Sequence, residues 1–213
     1  QEYIFIQIHM LLFLDIVSPI PEFTIIEDNK VILRQKIISN EGDKLSDNII
    51  QSYIEINNKL NLSEKLQKIV TTIGPGSYTS LRVGCAFIAG LKFAKNVLFS
   101  PLSMIEIFDF KSNIYKLENL GIFITSSNNQ KFFCTKNILG HIDYIKIDND
   151  SFVLPNNIKT VLFNLDNLEL DNFKVEKLKF SFVDEILKYN DKLTFLKDSI
   201  IKPIYISNNK ILN

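Results

Sequence analysis

Three short runs open the chain, at residues 11–17, 23–27 and 31–38, each rich in β-branched and aromatic residues and bounded by turn formers. Pro19 and Pro21 break the first gap, and Asp28-Asn29 breaks the second. Runs of this length predict strands, and a two-residue polar break predicts a hairpin turn, so the segment reads as an antiparallel meander. The polar stretch 39–44 ends it. The period then changes. Leu45, Ile49, Tyr53, Ile56 and Leu60 recur at helical spacing, with Ile50 and Ile54 widening the apolar face. This predicts one amphipathic helix of about four turns. A strand at 67–73, a glycine-bearing loop and a second helix at 79–95 follow. The predicted result is an α/β lobe with a mixed sheet.

The second half is less regular. Ser103 with Glu106 three residues on has the spacing of a capping box and predicts a short helix at 103–110. Strands are predicted at 121–125, 131–135, 142–147, 159–163 and 203–206, with a helix at 181–189. No tandem repeat of fixed period is visible. The apolar run 3–17 is interrupted by Gln7, His9 and Asp15, lacks a basic leading region and is too short to span a bilayer. It predicts two adjacent strands, not a signal peptide.

Composition narrows the function classes. A length of 213 residues accommodates two small lobes, expected at 1–102 and 103–213, and a 46% hydrophobic content supplies a sizeable core. Lys plus Arg and Asp plus Glu are both 24. A protein that grips a nucleic-acid backbone by itself carries a basic surplus, and this chain has none. Cys85 and Cys134 sit in apolar contexts and predict buried reduced thiols, consistent with a cytoplasmic location. His9 and His141 lie far apart in sequence, and no Cys-x-x-Cys is present. No metal site is therefore expected.

Four of the seven glycines, Gly74, Gly76, Gly84 and Gly90, fall within 17 residues. Gly74-Pro75-Gly76 predicts a sharp strand exit, with Ser77 or Thr79 capping the next helix. Amides at that helix start would favour an anion, and Arg82 lies close by. The spacing is not a P-loop, for no lysine follows, and Thr79 stands where a dinucleotide fingerprint has its third glycine. A phosphate contact and a purely structural corner both remain open; the residues favour the corner. Within the following helix, Ala86, Gly90 and Ala94 recur at i, i+4 and i+8, a ridge almost without side chains that admits close approach of another helix.

The string Gly74-Pro75-Gly76-Ser77-Tyr78-Thr79-Ser80-Leu81-Arg82-Val83-Gly84 resembles the Gly-Pro-Gly-Ser-Phe-Thr-Gly-Leu-Arg-Ile-Gly hallmark of the TsaB (YeaZ) family of tRNA-modification subunits. Weaker likenesses flank it: Leu12-Phe13-Leu14-Asp15, which begins the family-like stretch after Met10; Leu45-Ser46-Asp47-Asn48; Ser103-Met104-Ile105-Glu106; and Pro203-Ile204-Tyr205. Together they span most of the chain. Departures are Ile16-Val17 after Asp15 where the family has Thr-Ser, Leu45 for a histidine, Ser80 for a glycine, Ser126-Ser127-Asn128 for an acidic and basic strand end, and Ser207 for a terminal arginine.

The resemblance implies an ASKHA (actin-like ATPase, RNase H-like) fold of two lobes with mixed sheets flanked by helices. It implies a non-catalytic subunit that pairs with TsaD, the enzyme that threonylcarbamoylates adenosine 37 of tRNA to form t6A. The TsaE ATPase is expected to join, and TsaC to supply the threonylcarbamoyl-adenylate. ATP or ADP and magnesium are expected in the complex, with no cofactor assigned to this chain, and tRNA is touched only indirectly. The implied partner surface lies on the two helices and involves Leu45, Ile49, Tyr53, Leu81, Ala86, Ile88, Gly90, Leu91 and Ala94. An exposed apolar helix pair also implies homodimers when the partner is absent. The loop residues Asp15, Gly74, Gly76, Ser77, Thr79 and Arg82 are the candidates for proximity to a nucleotide or anion. The competing readings are an ASKHA phosphotransferase, the metal-dependent enzyme of the older glycoprotease label, and a relative that has left the pathway.

Overall fold

The computed structural model describes residues 10–38, 43–148, 152–165, 174–198, 200–207 and 210–212. Strand β1 (Met10–Asp15) pairs antiparallel with β2 (Glu22–Glu27), which pairs antiparallel with β3 (Lys30–Lys36). Asp28 and Asn29 join them with both φ values positive, 48° and 59°, the left-handed pair whose twist suits a two-residue hairpin. Helix α1 (Leu45–Leu60) and the single turn α2 (Leu62–Lys65) lead into β4 (Leu66–Thr72), parallel to β1. Helix α3 (Tyr78–Lys95) then leads to β5 (Leu98–Leu102), parallel to β4. The sheet order is β3-β2-β1-β4-β5. Of the predicted strand pair in 3–17, residues 3–9 lie outside the described residues; 10–15 form one strand.

Helix α4 (Met104–Lys111) crosses to the second sheet, built from β6 (Leu120–Thr125), β7 (Lys131–Lys136), β8 (Ile142–Ile147), β9 (Thr160–Phe163) and β10 (Glu176–Lys179). Its order is β10-β9-β6-β7-β8. The pairings of β6 with β7 and of β7 with β8 are antiparallel, whereas those of β6 with β9 and of β9 with β10 are parallel. Each sheet therefore has its first strand at the centre, a meander on one side and two parallel crossover strands on the other. This duplicated order is the ASKHA topology. Helix α5 (Phe182–Tyr189) and the small ribbon β11 (Tyr205–Ser207) with β12 (Lys210–Leu212) complete the described chain.

The capping box forms as predicted: Ser103 Oγ accepts from Ile105 N at 3.1 Å while Glu106 Oε2 accepts from Ser103 N at 2.7 Å. Strands β5, β10 and β12 have no counterpart in the sequence reading. Pro101 breaks the strand signal of β5, an edge strand where a missing amide is tolerated. The charged Glu176-Lys177-Leu178-Lys179 forms the edge β10, where charge discourages further pairing. One large apolar cluster runs through both sheets, and a smaller one gathers Phe123, Phe133, Leu154, Ile158 and Val161. Helices α1 and α3 lie side by side, joined by edge-on rings of Tyr53 and Phe87 (centroids 5.5 Å apart) over Phe23. Polar contacts also link elements distant in sequence. Ser80 and Ser127 hydroxyls meet at 3.0 Å, and Lys111 Nζ of α4 reaches Glu185 Oε1 of α5 at 2.6 Å.

Candidate functional site

The glycine-bearing loop is closed. Gly74, Gly76 and Ser77 are buried. The carbonyl of Ile73 accepts from Ile204 N at 2.7 Å, and a Cβ on Gly74 would stand 2.6 Å from the Ile204 carbonyl oxygen. Gly74 has φ +120°, a conformation that side-chain-bearing residues rarely adopt. Gly76 faces Val17, and Gly84 lets α3 settle against Ile16, whose Cγ2 would be 2.5 Å from an added Cβ. Both glycines thus serve close packing between the loop, α3 and the end of β1.

The expected cap takes a different form: Ser77 occupies the N-cap position without a side-chain hydrogen bond, and Thr79 is exposed. Arg82 does not turn toward the loop. Its guanidinium lies 4.1 Å over the Tyr78 ring and hydrogen-bonds Tyr205, with the two tyrosine rings 4.6 Å apart. The 203–205 segment is thereby fastened across the corner. An anion would meet this cover before it met the amides of Gly74 to Ser77.

Asp15, at the end of β1, is buried and engaged. Its Oδ1 accepts from Val17 N at 3.0 Å, Ser18 N at 3.1 Å and Thr72 Oγ1 at 3.1 Å, while Thr72 Oγ1 accepts from Ile16 N at 2.9 Å. It borders a cleft of about 420 Å³ in which the Arg34 guanidinium is paired with Glu22. Burial pushes the Asp15 pKa above its ordinary 3.8, and the hydrogen bonds only partly oppose this. The folded chain therefore holds that proton more tightly than the unfolded chain. This contribution to stability is fully present below 3.8 and is lost as pH rises through the folded value. Asp15→Asn keeps an acceptor for the same donors and removes the titration. Thermal melts of the two proteins across pH should show the wild type losing ground to the variant as pH climbs above 3.8. A gap independent of pH would contradict this account of Asp15.

The helix-face residues fall into two sets. Leu45, Ile49, Leu81, Ile88 and Leu91 are buried in the core. Their helical period is the sheet-facing stripe of α1 and α3, so assigning them to a partner surface is corrected. Tyr53 is half-buried in the ring cluster with Phe23 and Phe87, and its hydroxyl has no hydrogen-bond partner. Ala86, Gly90 and Ala94 are exposed, and a Cβ on Gly90 would meet nothing within 4 Å. Beside them Phe93 is 93% exposed, and on α1 Ile50 and Ile54 are 61% and 43% exposed. Phe93 escaped the sequence reading, although projecting α3 at 100° per residue places it beside Ala86 and Gly90.

Cys85 and Cys134 are free and buried; burial pushes the Cys85 thiol up to about 12 and raises that of Cys134 as well. Among the described residues no three His, Cys, Asp or Glu side chains converge, and no helix is long and apolar enough to cross a membrane.

The family described as TsaD, tRNA N6-adenosine threonylcarbamoyltransferase, matches residues 32–159. No curated protein matches the chain. Among solved structures, YeaZ from Pseudomonas aeruginosa is similar with a TM-score of 0.49 and 13% identity, over 73% of this chain and 75% of that one. The Ppx/GppA phosphatase of Aquifex aeolicus gives 0.35 and 14%, over 65% and 52%. RuvC from T. thermophilus, in complex with a Holliday junction substrate, gives 0.36 and 5%, over 48% and 69%.

Proposed function

This chain belongs to the TsaD family, tRNA N6-adenosine threonylcarbamoyltransferase, and from that membership we propose that it serves t6A formation as a TsaB-like accessory subunit that pairs with a catalytic TsaD protein. The observation that carries the reading is the open face of α1 and α3. Ile50, Ile54 and Phe93 present apolar side chains to solvent beside Ala86, Gly90 and Ala94, where a partner helix can approach closely. Removing such a surface from water drives association at about 25 cal/mol per Å².

The Gly-Pro-Gly-Ser string supports the same reading, because its likeness to TsaB persists while its loop lies under the 203–205 segment. A nucleotide role for this chain has weaker support. Asp15 is committed to three donors, and Arg82 to two tyrosines. Nucleotide and magnesium are assigned to the partners in the assembly. TsaE and TsaC act as neighbours in the pathway, and tRNA is met through TsaD.

Light scattering of the chain alone and with a TsaD protein added tests the reading. A one-to-one heterodimer should form, at the expense of any self-association of the free chain. Two species that keep their separate masses would overturn it.

A further inference from the structure

Tyr78 and Arg82 fasten the 203–205 segment, but they also stand on the open side of α3. Tyr78, Arg82, Ala86, Gly90 and Ala94 follow one another at i+4 along the helix, so they form a single ridge. All five are exposed. The ridge is nearly bare of side chain at Ala86, Gly90 and Ala94 and rises abruptly toward its N-terminal end. Arg82 stands about 12 Å from Gly90, a little over two helical turns. An element that lies along the small residues therefore runs into the arginine.

Arg82 is held in place. Its guanidinium lies 4.1 Å over the Tyr78 ring, the Tyr78 and Tyr205 rings are 4.6 Å apart, and Arg82 hydrogen-bonds Tyr205. Tyr205 is anchored in turn, because Ile204 N donates to the Ile73 carbonyl at 2.7 Å. The side chain thus gives up rotamer freedom before a partner arrives, and less is lost on contact. A guanidinium carries five N–H donors in a planar fork, more than one phenol oxygen can occupy. The donors left over match the two oxygens of a carboxylate. The surrounding charge has one sign, for α3 carries Arg82, Lys92 and Lys95 and no Asp or Glu. Tyrosine and arginine are also the side chains on which interface affinity concentrates.

We propose that the Tyr78–Arg82–Tyr205 stack is the specificity-determining end of the partner surface, where Arg82 receives a carboxylate of the TsaD-type partner whose helix lies on Ala86, Gly90 and Ala94. This role rests on the pairing with TsaD and adds the chemistry that selects the partner. The small residues set how closely the partner approaches. The arginine fixes its register along α3 and rejects a surface without an acidic group at that point.

Calorimetric titration of the full chain with a TsaD protein, at low and at moderate salt, tests the assignment. Arg82→Gln should bind about ten-fold more weakly than the wild type, and added salt should weaken the wild type more than the variant. Arg82→Lys keeps the charge without the fork and should recover only part of the affinity. Arg82→Glu should bind more weakly still, and arginine placed at one of the partner's exposed Asp or Glu positions, each changed in turn, should restore it. That rescue separates a direct contact from a loosened 203–205 segment, which no change in the partner repairs. Melting curves establish that each variant is folded. Restoration at none of those positions would overturn the assignment. If Gly90→Leu weakens binding while Arg82→Gln binds as the wild type does, the stack loses this role and the pairing stands. A wild-type chain that does not bind TsaD overturns the pairing itself.

Discussion

Replacing Lys111 with alanine is expected to cost about 3–5 kcal/mol of stability, because it leaves a carboxylate buried without its partner. Lys111 and Glu185 side chains are only 10% and 7% exposed, and their contact is 2.6 Å. Glu185 Oε2 already has no hydrogen-bond partner among the described residues, so loss of the lysine strips the carboxylate of its ion pair. The pair also joins α4, which follows the first sheet, to α5, which follows β10 of the second. Its loss should therefore loosen the packing of α4 against α5. Urea unfolding measures the effect. The double variant Lys111→Met, Glu185→Leu should recover most of the loss, since an apolar pair of similar size avoids the desolvation of both charges. A single variant as stable as the wild type would show that Glu185 finds water or a proton without difficulty, contrary to this description.

Gly74→Ala is the second large effect. Alanine must adopt φ near +120° and place its Cβ 2.6 Å from the Ile204 carbonyl oxygen. The conformation alone costs about 1–3 kcal/mol, and the clash is with backbone, which cannot simply swing aside. The 203–205 segment should lift, with loss of the Ile204 to Ile73 hydrogen bond. Gly76→Ala is the internal control: its nearest contact would be Val17 Cγ2 at 3.4 Å, and its φ is not left-handed. That variant should stay within about 1 kcal/mol of the wild type. Thermal melts that placed the two variants together would contradict the closed-corner account.

Local chemistry made much of the fold legible. Asp28-Asn29 announced a hairpin because two residues that tolerate positive φ stood between alternating runs. Helix α1 was readable to its ends, where Leu45 begins the apolar period and Asn61 adopts the left-handed conformation that stops it. Strand β10 was illegible because its residues are charged, and only pairing with β9 makes them a strand. The site was harder. The glycines marked a corner, but the segment that covers it comes from Ile204 and Tyr205, distant in sequence and near only after both lobes have formed. Five of the helix residues, Leu45, Ile49, Leu81, Ile88 and Leu91, turned inward for a related reason. Strong apolar periodicity, as at Leu45, Ile49, Leu81 and Ile88, marks the face that a domain buries in itself. The open face is marked instead by small residues and by stray apolar ones such as Ile50 and Phe93.

The central claim is that the open face of α3 receives TsaD, and Gly90→Leu tests it most directly. Nothing lies within 4 Å of a Cβ at that position, so the variant should fold, and replacing a mid-helix glycine should stabilise the free chain by about 0.5–1 kcal/mol. Calorimetric titration with a TsaD protein should then show the wild-type chain binding one to one and the stabilised variant binding at least about ten-fold more weakly. Undiminished binding by a folded Gly90→Leu, or no binding by the wild type, would contradict the account.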